Sequence, residues 1–61
     1  MVLTGSTIKR LMRQHEVTIR EFKAKHGITL KRIREVRLAG VSGFMAEDWF
    51  KMITGSWPKA N

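Results

Sequence analysis

This 61-residue sequence has no cysteine, which excludes the disulfide and thiolate-zinc staples that often rescue a small fold. Acidic residues are few, five against twelve Lys and Arg. The one proline is Pro58, a helix breaker that leaves residues 56–61 as an irregular tail. No run approaches the roughly 18–20 apolar residues of a membrane span, and Met1 to Ser6 lack the apolar stretch of a signal peptide. A soluble, cytoplasmic chain with no membrane partner is expected. The length allows one small domain that buries only about 60% of its unfolded surface. It leaves no room for a cofactor-binding α/β enzyme, and no cofactor is expected.

What is abundant is positive charge, and it is unevenly placed. Residues 1–37 hold ten basic residues (Lys9, Arg10, Arg13, Arg20, Lys23, Lys25, Lys31, Arg32, Arg34, Arg37) against Glu16, Glu21 and Glu35, a net of +7. Residues 38–61 balance Lys51 and Lys59 against Glu47 and Asp48. A polyanion-facing surface is therefore expected in the N-terminal two-thirds, with nucleic acid the partner it suits. A merely solvated basic surface is the plainer alternative.

Four helices account for the periodicity, and no strand-like alternation competes with them. Ser6 and Thr7 precede Ile8, Leu11 and Met12, whose spacing makes one apolar stripe over about 7–15. Thr18 stands three residues before Glu21, the reciprocal capping-box arrangement, and opens a second helix over about 19–26 that Gly27 ends. Thr29 caps a third, in which Leu30, Ile33 and Val36 fall on one side of the wheel and Lys31, Arg34 and Glu35 on the other. Gly40 is its expected stop, and Val41-Ser42-Gly43 reads as a loop. In a fourth helix over about 45–54, ended by Gly55, Met45, Trp49, Met52 and Ile53 form the apolar stripe, and Glu47 and Asp48 complement the dipole in its first turn. Phe44, Phe50 and the four methionines read as core, Phe50 alternatively as a residue near a subunit boundary.

Two short helices joined by a tight glycine-containing turn form a helix-turn-helix arrangement. The stretch from Thr18 to Val36 resembles the lambda-repressor-like (Cro/XRE-type) helix-turn-helix family. The resemblance rests on Gly27-Ile28-Thr29, on Ile33 and Val36 five and eight residues after Ile28, and on Phe22 at the large apolar site of the first motif helix. It covers about residues 7–55 and implies an all-α, four-helix DNA-binding domain, with residues 1–6 an N-terminal arm. One departure is Lys23, where the family commonly has a small alanine. Either its stem snorkels past the interface or the motif helices are rotated, with Ala24 one place later.

The third helix carries the chemistry expected of base reading. Lys31 can donate to guanine acceptors, Arg34 can present its fork to guanine O6 and N7, and Glu35 can accept from cytosine N4. Thr29 at the cap, Arg20, Arg32, Lys23 and Arg37 are the phosphate candidates. The same charges would also suit the wet side of any amphipathic helix. His15 and His26 sit on different helices without a zinc-type ligand pattern, so no metal is expected. Thr4, Ser6, Ser42 and Thr54 lack an activating base, and Gly40-Val41-Ser42-Gly43 lacks the lysine of a phosphate-binding loop. The reading is a non-enzymatic, sequence-specific regulator of transcription that binds the major groove of double-stranded DNA, without a small-molecule ligand. A small repressor of a phage, plasmid or toxin–antitoxin circuit fits best. An architectural or recombination-associated DNA binder, or a basic protein-interaction module such as an anti-repressor, are the alternatives. A homodimer, at least on DNA, is expected from the thin core, with Phe50, Trp57 and Pro58 of the near-neutral C-terminal third as its interface.

Overall fold

Threonine hydroxyls set the start of three helices. In a computed structural model that describes residues 1–59, α1 (Gly5–Gln14), α2 (Ile19–His26) and α3 (Leu30–Ala39) begin after Thr4, Thr18 and Thr29. Each Oγ1 accepts the backbone N–H three residues on, from Thr7 at 3.2 Å, Glu21 at 3.1 Å and Arg32 at 3.2 Å. These are N-caps, each worth about 1 kcal/mol. The cap of α1 is thus Thr4 rather than Ser6 or Thr7, and the helix starts two residues earlier than its apolar stripe suggests. At α2 the threonine half of the capping box forms; no bond from the Glu21 carboxylate joins it among the described residues. Gly27 ends α2 in the left-handed conformation.

The end of α1 carries a surprise at Glu16, which has a φ of 55°. Its N–H bonds the Arg13 carbonyl at 3.2 Å and that of Val17 bonds the Met12 carbonyl at 2.8 Å, the paired bonds of a Schellman motif. Val17 packs against the core to which Met12, two residues before the helix end, belongs.

Two short strands, which the sequence pattern does not announce, tie the chain together. β1 (Val2–Leu3) pairs antiparallel with β2 (Val41–Ser42), Val2 opposite Ser42 and Leu3 opposite Val41. The first six residues are therefore not a free arm: Leu3 is buried and Gly5 and Ser6 belong to α1. Likewise Val41-Ser42-Gly43 is not a loop, because β2 leads directly into α4 (Gly43–Thr54). That start puts Glu47 and Asp48 in the second turn of α4, beyond the first-turn position where a carboxylate best meets the dipole.

The chain can pass from α3 to β2 only through Gly40, whose φ of 83° and ψ of −176° lie in a region essentially closed to other residues. A Cβ there would lie 2.4 Å from the Leu3 carbonyl oxygen.

The core joins all these elements: Leu3, Ile8, Met12, Phe22, Ile33, Val36, Ala46, Trp49 and Ile53 are buried together. Phe22 of α2 stacks on Trp49 of α4 with ring centroids 5.2 Å apart, an arrangement worth about 0.5–1.5 kcal/mol beyond its buried area. Three expected core residues lie elsewhere. Phe44 is 85% exposed because it sits five residues before Trp49, on the opposite side of the α4 wheel. Met45, expected in the apolar stripe of α4, is exposed as is Met1, and Ala46 fills the buried place beside Trp49 and Ile53 instead. No described helix is long and apolar enough to cross a membrane.

Candidate nucleic-acid interface

α3 has one dry side and one wet side. Ile33 and Val36 are fully buried, whereas Lys31, Arg34, Glu35 and Leu38 are exposed. Lys31 and Leu38 are seven residues apart, nearly two turns, and so align on the outermost line of the helix about 10 Å apart. Leu30, Lys31, Arg34, Glu35 and Leu38 line one shallow trough. Leu30, expected inward with Ile33 and Val36, is only half-buried and belongs to this trough. Leu38, 83% exposed, is the member that residue-type reasoning passes over, although the wheel places it beside Lys31.

At the other end of the trough, Thr29 accepts from the Arg32 N–H, which leaves its hydroxyl proton free to donate outward. The N–H groups of the first turn of α3 lie beside it, where a helix dipole favours an anion. Arg32 turns away from this line. Its guanidinium lies 3.7 Å from the Glu35 carboxylate, the one ion pair among the described residues. It also borders a groove with Ile28, Met45, Asp48, Trp49 and Met52. Such a solvent-facing pair is worth about 0–1 kcal/mol, so both side chains can be drawn to other partners at little cost.

A second basic cluster surrounds the start of α2. Lys9 and Arg13, one turn apart on α1, meet Arg37 of α3 in a groove that also takes in Met12, Val17, Thr18 and Ile19. Arg37 is held there by a contact of 3.3 Å between its Nη1 and the Met12 sulfur. Sequence reasoning named Arg37 as a phosphate candidate but not Lys9 or Arg13. Their i, i+4 spacing was the available signal; their meeting with Arg37 depends on the packing of α1 against α3. Arg20 and Lys23 stand exposed on α2, apart from these two grooves. Lys23 thus keeps its charge in solvent and Ala24 is exposed too, so neither acts as the small residue between α2 and α3; Phe22 is what α2 buries.

His15 and His26 come to the same groove, of about 580 Å³, with Glu21, Phe22 and Lys51 on its walls. No group of three or more potential metal ligands forms among the described residues. Phe50 is half-buried against its own core. Trp57 is 59% exposed, with the Lys51 ammonium 6.0 Å from its ring centroid, and Pro58 is half-buried. The last two residues of the expected tail lie outside the described residues. No protein-family model, curated protein or solved structure is found to match the chain.

Proposed function

We propose that this protein is a sequence-specific double-stranded DNA-binding regulator of transcription, a small repressor that acts by occupying its site. The observation that supports this reading best is the division of α3. A helix anchored by two fully buried residues follows a tight glycine turn and presents Lys31, Arg34, Glu35 and Leu38 as one outward line. In this reading α2 and α3 are the helix-turn-helix and α3 enters the major groove. Lys31 and Arg34 read guanine, Glu35 reads cytosine after leaving Arg32, and Leu38 offers its methyl groups to a thymine methyl. Thr29, Arg20, Arg32 and Lys23 hold phosphates, and the Lys9, Arg13 and Arg37 cluster joins them. Such a protein needs no catalytic group, metal or cofactor.

Selection of binding sites from random duplexes, followed by titration of the selected site against salt, tests the reading. A defined site should emerge, and affinity should fall with a log–log slope of about −0.9 for each phosphate neutralised. Lys31→Ala or Arg34→Ala should cost about 1–3 kcal/mol on that site and much less on random DNA. Arg20→Ala should weaken both alike. A salt slope near zero, or equal losses on both duplexes for all three variants, contradicts it.

A further inference from the structure

The largest exposed apolar side chains outside α3 and the tail gather where the two strands meet α4. Phe44 is 85% and Val2 72% exposed, and Met1 and Met45 are about half exposed. Their backbones are neighbours: the Gly43 N–H bonds the Met1 carbonyl at 2.8 Å, Val2 lies opposite Ser42, and Phe44 and Met45 follow Gly43, Met45 at the border with the groove that holds Arg32 and Asp48. β1 has a neighbour on one side only. Paired residues in an antiparallel ladder alternate between bonded and non-bonded levels. With Met1 and Gly43 at a bonded level, Val2 directs its own N–H and C=O to the free edge.

We propose that a second copy of this chain docks on this surface, forming a twofold dimer through Val2, Phe44, Met1 and Met45. Charge selects the occupant. Met1–Ile8 and Leu38–Ala46 contain no charged side chain, whereas the chain as a whole carries +7. Two such molecules repel through α1, α2 and the wet side of α3, whereas on this surface the one charged group is the Met1 ammonium at the chain end. An acidic partner would instead be drawn to the basic faces. Area agrees: the four side chains expose on the order of 500 Å², at the upper end of the patches found on monomers. Counted on both copies this is roughly 1,000 Å², the lower limit of a specific interface. An isologous contact also suits a surface that combines a free strand edge with apolar side chains, since both features complement themselves. The interface thus lies at the strand end rather than at Phe50, Trp57 and Pro58, where Phe50 is engaged with its own core and Lys51 lies over Trp57. It requires no DNA.

Sedimentation equilibrium of the free protein over a wide concentration range tests this independently of any nucleic acid. The wild type should pass reversibly from its 7.1 kDa mass to twice that value. Phe44→Glu and Val2→Glu should each weaken the dimer at least tenfold, with the helical circular dichroism signal unchanged because both sites are exposed. Trp57→Ala should dimerise as the wild type does. A wild type that stays monomeric throughout overturns the proposal, as does a folded Phe44→Glu variant that dimerises undiminished or a loss of the dimer in Trp57→Ala. Because the readout is mass alone, its failure leaves the DNA reading standing, and the reverse holds too.

Discussion

Replacing Gly5 by alanine sets two well-measured effects against each other. Gly5 is the first residue of α1 and is buried. By intrinsic propensity alone, alanine in a helix interior is favoured over glycine by about 1 kcal/mol, and by less in the first turn. Packing opposes this. A Cβ at Gly5 would lie 2.5 Å from the Arg37 carbonyl oxygen, 2.7 Å from that of Leu38 and 2.9 Å from the Leu38 carbonyl carbon. All three are backbone atoms of α3, so no rotamer change can relieve the contact. α3 is also poorly placed to retreat, because Gly40 immediately after it is closed against the Leu3 carbonyl and Thr4.

Overpacking of this kind costs typically 1–3 kcal/mol, and the rigid obstacle places Gly5→Ala at the upper end. After subtracting the propensity gain, a net loss of about 2 kcal/mol remains. A domain of this size has only about 3–9 kcal/mol in total, and its melting midpoint should fall by roughly 8–16 °C. Gly55→Ala is the control. It meets open space but has a φ of 83°, so left-handed strain alone applies, about 1 kcal/mol. Urea and thermal melts followed by far-ultraviolet circular dichroism measure both. A Gly5→Ala midpoint equal to or above the wild type would refute the close approach of α1 and α3.

Glu16→Gly should raise the unfolding free energy by about 1 kcal/mol, since it relieves a non-glycine residue at a φ of 55°; a lower urea midpoint would contradict the Schellman assignment. Glu35→Gln should tighten binding to random duplex DNA by removing a negative charge and freeing Arg32, while relaxing preference at one cytosine; unchanged affinity for random DNA would argue that α3 does not face it. Leu38→Ala should weaken binding to the selected site and abolish the loss otherwise caused by replacing one thymine with deoxyuridine. If wild type and variant respond alike to deoxyuridine at every position, the methyl contact is wrong even where the protein binds DNA.

The elements most legible in the sequence were those with a signal at both ends. α2 lies between Thr18 and Gly27 and spans the expected residues, and α3 starts after Thr29 and ends at Gly40 as expected. The start of α1 was harder because Thr4, Ser6 and Thr7 are all competent caps; only Thr4 leaves Gly5 inside the helix, where α3 approaches. β1 and β2 were invisible for a different reason. Two residues are too short for alternation to register, and the pairing joins positions about forty residues apart. Glu16 gave no warning, since a left-handed residue is signalled by glycine or asparagine, not glutamate. For the candidate interface, the wheel placed Lys31, Arg34 and Glu35 outward, where they are. Residue type misled at Phe44, because a large apolar side chain argues for burial whatever its angle; the wheel itself placed Leu30 inward, where it is only half-buried, and Leu38 was passed over.

The two ends of α3 explain how a domain with so small a core can hold the outward line of that helix in place. At its start, the Gly27 turn and the Thr29 cap fix the approach from α2. At its end, the backbone carbonyls of Arg37 and Leu38 lie against Gly5, and Gly40 passes the chain to a strand paired with β1. Between these ends Ile33 and Val36 alone are fully buried. The side chains at 31, 34, 35 and 38 therefore contribute little to the core, and surface changes there should alter stability by no more than about 0.5 kcal/mol. In a DNA-binding protein, that separation lets the outward line of α3 be rewritten for a different site while its placement, set by Gly5, Gly27, Gly40 and the Thr29 cap, stays the same.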